Sequence, residues 1–165
     1  MSDNGIYLGN PNLKKTNVQV EWTEERVLEF LKCKEDPVYF ANNYIKIVSL
    51  DEGLTQFHPY HFQEKLINNF HENRFNICKM PRQTGKSTTV VSYLLHYAVF
   101  NDSVNIGILA NKAATARELL GRLQTAYENL PKWMQQGIIA WNKGSLELEN
   151  GSKILAASTS ASAVR

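Results

Sequence analysis

The amino-acid sequence predicts an α/β domain in which a parallel β-sheet is flanked by helices. From residue 74 onward, strand-like and helix-like segments alternate as strand, loop, helix, strand, helix and strand. Val104–Ala110 is a continuous apolar run of strand length, which is typical of a parallel strand covered on both faces. Residues 85–100 are apolar almost all round, as expected for a central, buried helix.

Composition and charge are those of an ordinary soluble domain. The 165 residues are 43% apolar and 21% charged, and 18 basic against 16 acidic side chains leave a net charge of +2. A dedicated duplex binder usually shows a clear basic excess, so any contact with DNA must come from a local patch or from other parts of the protein. The polar N-terminus lacks the apolar centre of a signal peptide, and residues 90–100 are too few to span a bilayer. We therefore expect a cytosolic protein that is neither secreted nor membrane-spanning.

The N-terminal third divides into two expected parts. Residues 1–20 are rich in Asn, Gly and Pro with little to pack, which predicts a flexible arm. Residues 21–56 are expected to form a small helical lobe. Thr23 followed by two glutamates is typical of a helix start, and Pro37 both ends that helix and begins a second short one.

Residues 57–165 are expected to form the main domain. A helix begins near Pro59 and carries one apolar face, formed by Phe62, Leu66 and Phe70. Arg74–Met80 alternates with period two and is therefore predicted to be a strand.

The second half of this domain continues with one helix and a hairpin. Lys112–Leu130 has helical apolar spacing and is ended by Pro131. Ser145–Glu149 and Ser152–Ala157 flank an Asn150-Gly151 turn, which predicts a β-hairpin.

The segment between the first predicted strand and the buried helix has the composition of a phosphate-binding loop. Its candidate nucleotide-binding residues are Pro81, Arg82, Gln83, Thr84, Gly85, Lys86 and Ser87. A glycine lets the backbone N–H groups approach a triphosphate, the lysine neutralises its β- and γ-phosphates, and the Ser87 hydroxyl suits Mg²⁺. The usual pattern begins with glycine where this chain has Met80, so the alternative is an ordinary strand-to-helix turn with a surface lysine. For Arg82 two interpretations stay open: it faces solvent, or it stabilises charge on the γ-phosphate from within the same chain.

The loop and several later segments resemble the large terminase subunits of tailed bacteriophages, most closely those of the myovirus type. The loop motif is Pro-Arg-Gln-Thr-Gly-Lys-Ser. The resemblance covers about residues 55–165, through Val104–Lys112, Leu130-Pro131, Gly137-Ile138, Trp141–Ser152 and the closing Ser162–Arg165.

This resemblance implies a P-loop NTPase fold of the RecA and helicase class that uses ATP and Mg²⁺, with Arg82 and Lys86 as catalytic residues. It places Phe62 and Gln63 where the family reads adenine, although a core phenylalanine beside a solvated glutamine is the alternative. The implied activity is ATP-driven translocation of double-stranded DNA into a procapsid. The implied partners are the portal protein and the small terminase subunit, with a ring oligomer on the portal in the host cytoplasm.

The sequence departs from the family pattern downstream. No run of four apolar residues followed by Asp-Glu occurs in these 165 residues, and the nuclease domain of the family has no counterpart. We therefore expect an incomplete N-terminal portion of the ATPase, inactive on its own. The rival interpretations are another helicase-like P-loop ATPase and a nucleotide-binding module that does not hydrolyse ATP.

Overall fold

A computed structural model describes residues 5–49 and 51–159, and these form a mixed α/β structure. The expected similarity at Ser162–Arg165 lies outside the described residues. The helices are α1 (Glu24–Glu35), α2 (Pro37–Tyr44), α3 (His61–Glu72), α4 (Lys86–Phe100) and α5 (Ala113–Glu128). The strands are β1 (Ile6–Tyr7), β2 (Asn10–Lys14), β3 (Lys46–Ser49), β4 (Gly53–Gln56), β5 (Asn105–Ala110), β6 (Ile138–Trp141), β7 (Ser145–Leu148) and β8 (Lys153–Ser158).

The two predicted helices of the N-terminal lobe are present and capped as expected. The Thr23 hydroxyl accepts a hydrogen bond from the Arg26 N–H at the start of α1. Asp36 accepts one from the Tyr39 N–H, and Pro37 occupies the first turn of α2. The lobe also contains the antiparallel hairpin β3–β4, which the sequence analysis did not predict.

Helix α4 is the central helix that its all-round apolar pattern predicted. Leu95 and Ala98 are fully buried. The ring of Phe40 from α2 lies 5.2 Å from that of Phe100. His96 lies 2.8 Å from the Cys33 carbonyl oxygen of α1, and because a carbonyl only accepts, the His96 Nε2–H is the donor. Helix α4 is therefore held by the lobe as well as by the rest of the domain.

The main sheet has four strands in the order β5-β8-β7-β6, and it is mixed. Strands β5 and β8 pair in parallel, whereas β7 pairs antiparallel with both β8 and β6. The predicted hairpin is confirmed, with Gly151 at φ 83° in the turn between β7 and β8. Among the described strands of this sheet, only the pair β5–β8 is parallel, so the expectation of a parallel sheet holds for that pair alone.

Strand β5 is covered on one face, and the prediction that both faces are covered is wrong for the described residues. Ile106 and Ile108 are buried, whereas Leu109 is 49% exposed and Leu155, the β8 residue paired with Gly107, is 52% exposed. The exposed face carries Asn105, Gly107 and Leu109, so only one large apolar side chain of β5 lies on it.

The predicted strand Arg74–Met80 is not a strand in the described structure. The segment is irregular and exposed from 74 to 79, with Ile77 at 101% and Phe75 at 82% relative exposure. Alternating apolar and polar residues indicate how side chains would be distributed over the two faces of a strand. A strand also requires a neighbouring strand to pair with its backbone N–H and C=O groups. Within the described ranges no strand pairs with this segment.

The N-terminal arm is ordered where the structure describes it, which corrects the expectation of flexibility for residues 5–20. Strands β1 and β2 form a hairpin, and Leu13 is 1% exposed. Gln135 holds the hairpin from both sides, since its Oε1 accepts from the Lys14 N–H and its Nε2 donates to the Asn12 carbonyl. A parallel bridge joins Lys15 to Ile138 beside β6. The partners that order this arm lie more than a hundred residues away, so local composition could not reveal them.

No helix in the described part of the chain is long and apolar enough to cross a membrane.

Candidate functional site

The loop at residues 81–87 turns the chain sharply into helix α4. Gln83 has φ 62° and Gly85 has φ 71°, so the loop contains two left-handed residues with Thr84 between them. The Thr84 hydroxyl donates to the Pro81 carbonyl and closes the turn. Helix α4 begins immediately after Gly85, where its first N–H groups have no partner within the helix. Left-handed residues followed directly by a helix start are backbone features that anion-binding loops share.

Lys86 is the first residue of α4, and its side chain folds back over the loop. Its Nζ lies 3.4 Å from the Met80 carbonyl oxygen, a long hydrogen bond. Next along the helix, Ser87 is half-buried. The Thr89 hydroxyl and N–H both bond to the Gly85 carbonyl at 3.0 Å, which fixes the first turn of α4. A positive charge, a hydroxyl and helix-start N–H groups are therefore carried by consecutive residues at the start of α4.

Helix α3 approaches the loop through Gln63. This side chain is 3% exposed, and its Oε1 accepts from the Tyr60 N–H at 2.8 Å. Its Nε2 donates to the Thr84 carbonyl at 3.2 Å. The amide thus closes the start of α3 on one side and contacts the loop backbone on the other.

A cleft of about 620 Å³ opens between the loop, the start of α3 and the hairpin β3–β4. Tyr60 and Phe62 lie along it with ring centroids 5.9 Å apart and planes within 10° of each other. Both rings are accessible, at 71% and 45% relative exposure. The cleft has the size of a small-molecule site, with an aromatic wall at one end and the loop at the other.

The sequence from residue 77 to residue 165 matches the family model described as "Terminase large subunit, T4likevirus-type, N-terminal". This chain belongs to that family. It is accordingly part of the large subunit of a viral DNA-packaging terminase, and the matched residues include the whole loop, α4, β5, α5 and the four-stranded sheet.

The terminase chain brings together most of the residues that its sequence singled out. Phe62 and Gln63 both line the cleft beside the loop, as do Gln83, Thr84 and Gly85. Pro81 and Arg82 are exposed on the outer part of the loop. Arg82 makes no hydrogen bond or ion pair with another described residue. Both interpretations of Arg82, a solvent-facing side chain and a γ-phosphate contact, therefore stay open.

The sequence analysis did not predict one wall of the terminase cleft, the hairpin β3–β4. Ile47, Thr55 and Gln56 of the hairpin β3–β4 face the loop across the cleft, and Gln56 donates to the carbonyls of Asn42 and Ile45. The signal for this hairpin was present in the sequence. Lys46–Ser49 is rich in β-branched residues, and an Asp-Glu-Gly turn follows shortly after it.

Metal-ligating side chains are sparse. Among the described residues no group of three or more His, Cys, Asp and Glu side chains is placed to hold a metal ion.

Proposed function

We propose that this terminase chain is the ATP-binding portion of a motor in which ATP hydrolysis drives double-stranded DNA into a procapsid. The observation that carries the proposal is the loop itself. Gly85 in the left-handed conformation delivers Lys86 to the first position of α4, in a chain of the terminase family. Helix-start N–H groups together with a lysine are the donors that a polyphosphate requires.

The phosphate end of the site is assigned to the loop and to the first residues of α4. Pro81, Arg82, Gln83 and Thr84 form the outer part of the loop, and Gly85 brings the backbone close. The Lys86 ammonium neutralises the β- and γ-phosphates, exchanging its long bond to the Met80 carbonyl for charge-assisted ones. The Ser87 hydroxyl is suited to hold Mg²⁺, which would supply further positive charge at the phosphates.

The base end of the site is assigned to the aromatic wall of the cleft. Tyr60 and Phe62 present accessible ring faces at the rim, and aromatic rings bind bases by stacking. Gln63 lies between this wall and the loop. ATP laid along the cleft would contact aromatic rings with its base and the loop with its phosphates.

Arg82 is assigned to the chemical step. It is exposed at the outer part of the loop, on a side chain long enough to turn inward. A guanidinium that reaches the γ-phosphate only as charge develops stabilises the transition state more than bound ATP.

The packaging partners belong to the same proposal. Family membership supports double-stranded DNA, a portal protein and a small terminase subunit as partners of the whole enzyme. A ring of copies docked on the portal in the host cytoplasm is the assembly in which such a motor would act.

The test is Lys86→Ala in the full-length terminase large subunit, with phosphate release measured at saturating DNA. Because the lysine supplies charge that no neighbour replaces, we expect release to fall roughly 10²–10³-fold or more. Lys143→Ala removes an exposed lysine far along the chain and should leave turnover unchanged. Wild-type turnover in Lys86→Ala would overturn the assignment of the loop. ATP binding without phosphate release in the wild-type protein would favour the non-hydrolysing module.

A further inference from the structure

Gln63 is the only amide among the described cleft-lining side chains whose two ends join two different elements of the site. Its Oε1 caps α3 by accepting from the Tyr60 N–H, and its Nε2 reaches the Thr84 carbonyl of the loop. The side chain is 3% exposed and therefore fixed in this position. A buried group with both hydrogen bonds made is costly to reorient, because turning it leaves polar atoms unsatisfied.

The bond to the loop has a geometric consequence. In a trans peptide the carbonyl and the following N–H point in opposite directions from one rigid plane. When Gln63 holds the Thr84 carbonyl, it also sets the direction of the Gly85 N–H, which points away from Gln63. That N–H belongs to Gly85, the last residue before α4, next to the unpaired N–H groups of the first helical turn.

The glycine at position 85 is required by this same contact. A Cβ built on Gly85 would lie 2.4 Å from the Gln63 Nε2, and the backbone there has φ +71°. Any larger residue would be strained by its conformation and would also push the amide away from the loop. The amide and the glycine therefore fit each other as a pair.

We propose that Gln63 is a positioning residue that acts on the phosphates through the loop backbone. By holding the Thr84–Gly85 peptide it preorients the N–H groups that receive the triphosphate, whatever base is attached. This inference rests on the proposed function of the loop, and it differs from base reading, in which the same amide would discriminate adenine from guanine.

The experiment compares Gln63→Met with the wild-type protein by calorimetric titration of inorganic tripolyphosphate, ATP and GTP. Methionine keeps the length and burial of the side chain but makes neither hydrogen bond. We expect the affinity for all three ligands to fall by a similar factor, roughly three- to tenfold, which is the range of one hydrogen bond. The ratio of ATP to GTP affinity should stay unchanged.

A matched control separates positioning from a loss of helix capping. Asp36→Ala removes the reciprocal cap from α2, in which the carboxylate of the residue before the helix accepts from the Tyr39 N–H at 2.8 Å. It should lower the melting temperature about as much as Gln63→Met does, yet leave tripolyphosphate binding at the wild-type level. Equal losses of tripolyphosphate affinity in both variants would reduce Gln63 to a structural cap and overturn the inference.

Two further outcomes would also overturn it, and they are distinguishable. If Gln63→Met lowers ATP affinity but leaves tripolyphosphate affinity intact, the amide contacts the base. If the wild-type protein binds neither ATP nor tripolyphosphate, the proposed function of the loop fails, and the role of Gln63 fails with it.

Discussion

The two segments that flank the loop differ sharply in how they are held. Helix α4, the buried flank, has Leu95 at 0% and His96 at 1% exposure. Residues 74–80, the exposed flank, have Phe75 at 82% and Ile77 at 101%. Both flanks contain large apolar side chains, so the presence of such side chains alone does not explain the difference.

The difference shows that a helix and a strand depend on different contacts with the rest of the chain. A helix satisfies its own backbone hydrogen bonds and requires only apolar cover, which α2, α3 and α5 provide to α4. A strand requires a neighbouring strand for its backbone, and none is paired with the exposed flank within the described residues. The loop is therefore fixed chiefly from its buried flank and through Gln63.

The largest expected effect lies at Arg82, on the outer part of the loop next to the exposed flank. In the full-length enzyme, Arg82→Ala should bind ATP within a few-fold of wild type but lose about 10³–10⁵ in turnover, because the contact forms in the transition state. Arg82→Lys should not restore turnover, since an ammonium lacks the planar two-pronged geometry. Nucleotide titration and single-turnover hydrolysis separate the two quantities.

Two other outcomes for Arg82→Ala would give the guanidinium a different role. Proportional losses of binding and turnover would make the guanidinium a phosphate ligand in the ground state. Unchanged binding and turnover would place it in solvent.

A paired substitution tests the two flanks directly. Leu95→Ala on the buried flank should lower the free energy of unfolding by about 2–5 kcal/mol, because it leaves a cavity in a closed environment. Ile77→Ala on the exposed flank should change it by less than about 0.5 kcal/mol. Urea unfolding of both variants measures the contrast. A loss above about 1 kcal/mol for Ile77→Ala would mean that the exposed flank is packed in solution.

A smaller effect concerns the pH dependence of the buried flank. Burial lowers the pKa of His96 to about 4, and the nearby His71 acts in the same direction, while the hydrogen bond to the Cys33 carbonyl and the charge of Asp36 oppose it. Between about pH 6.5 and pH 4 the unfolded chain binds a proton at this side chain that the folded chain does not. Stability from this group is therefore complete above pH 6.5 and falls as the pH drops, by at most on the order of 3 kcal/mol.

The control for this prediction keeps the donor but removes the titration. His96→Gln can still donate to the Cys33 carbonyl, and its unfolding free energy should lose most of the slope between pH 6.5 and pH 4. His58→Gln changes an exposed histidine and should keep the wild-type slope. An unaltered slope in His96→Gln would assign the pH dependence to other groups.

Sequence reasoning succeeded where the determinants are local. Thr23, Pro37 and the Asn150-Gly151 turn mark element ends through their own backbone preferences, and each end was predicted within a few residues. The start of α4 after Gly85 was likewise expected from a short motif, whereas phosphate binding at that loop stays a prediction.

Sequence reasoning failed where a segment's structure depends on residues that are distant in the sequence. The alternation of apolar and polar residues in Arg74–Met80 contains no information on whether another strand lies beside this segment. The order of the N-terminal hairpin depends on Gln135, and the packing of Gln63 against the loop joins residues 21 positions apart. Such pairings are set by tertiary structure, which a reading of local periodicity does not contain.

The docking of the N-terminal hairpin has a consequence for the order of folding. The bond between the Lys14 N–H and Gln135 closes a loop of 121 residues, and the bond from the Asn17 N–H to Glu149 closes one of 132. Contacts of such separation carry the largest closure entropy and form late. On a ribosome adding about 5–20 residues per second, Lys14 and Asn17 wait at least several seconds before their partners exist. The hairpin β1–β2 is thus expected to take its native place only after the domain it docks on has been made.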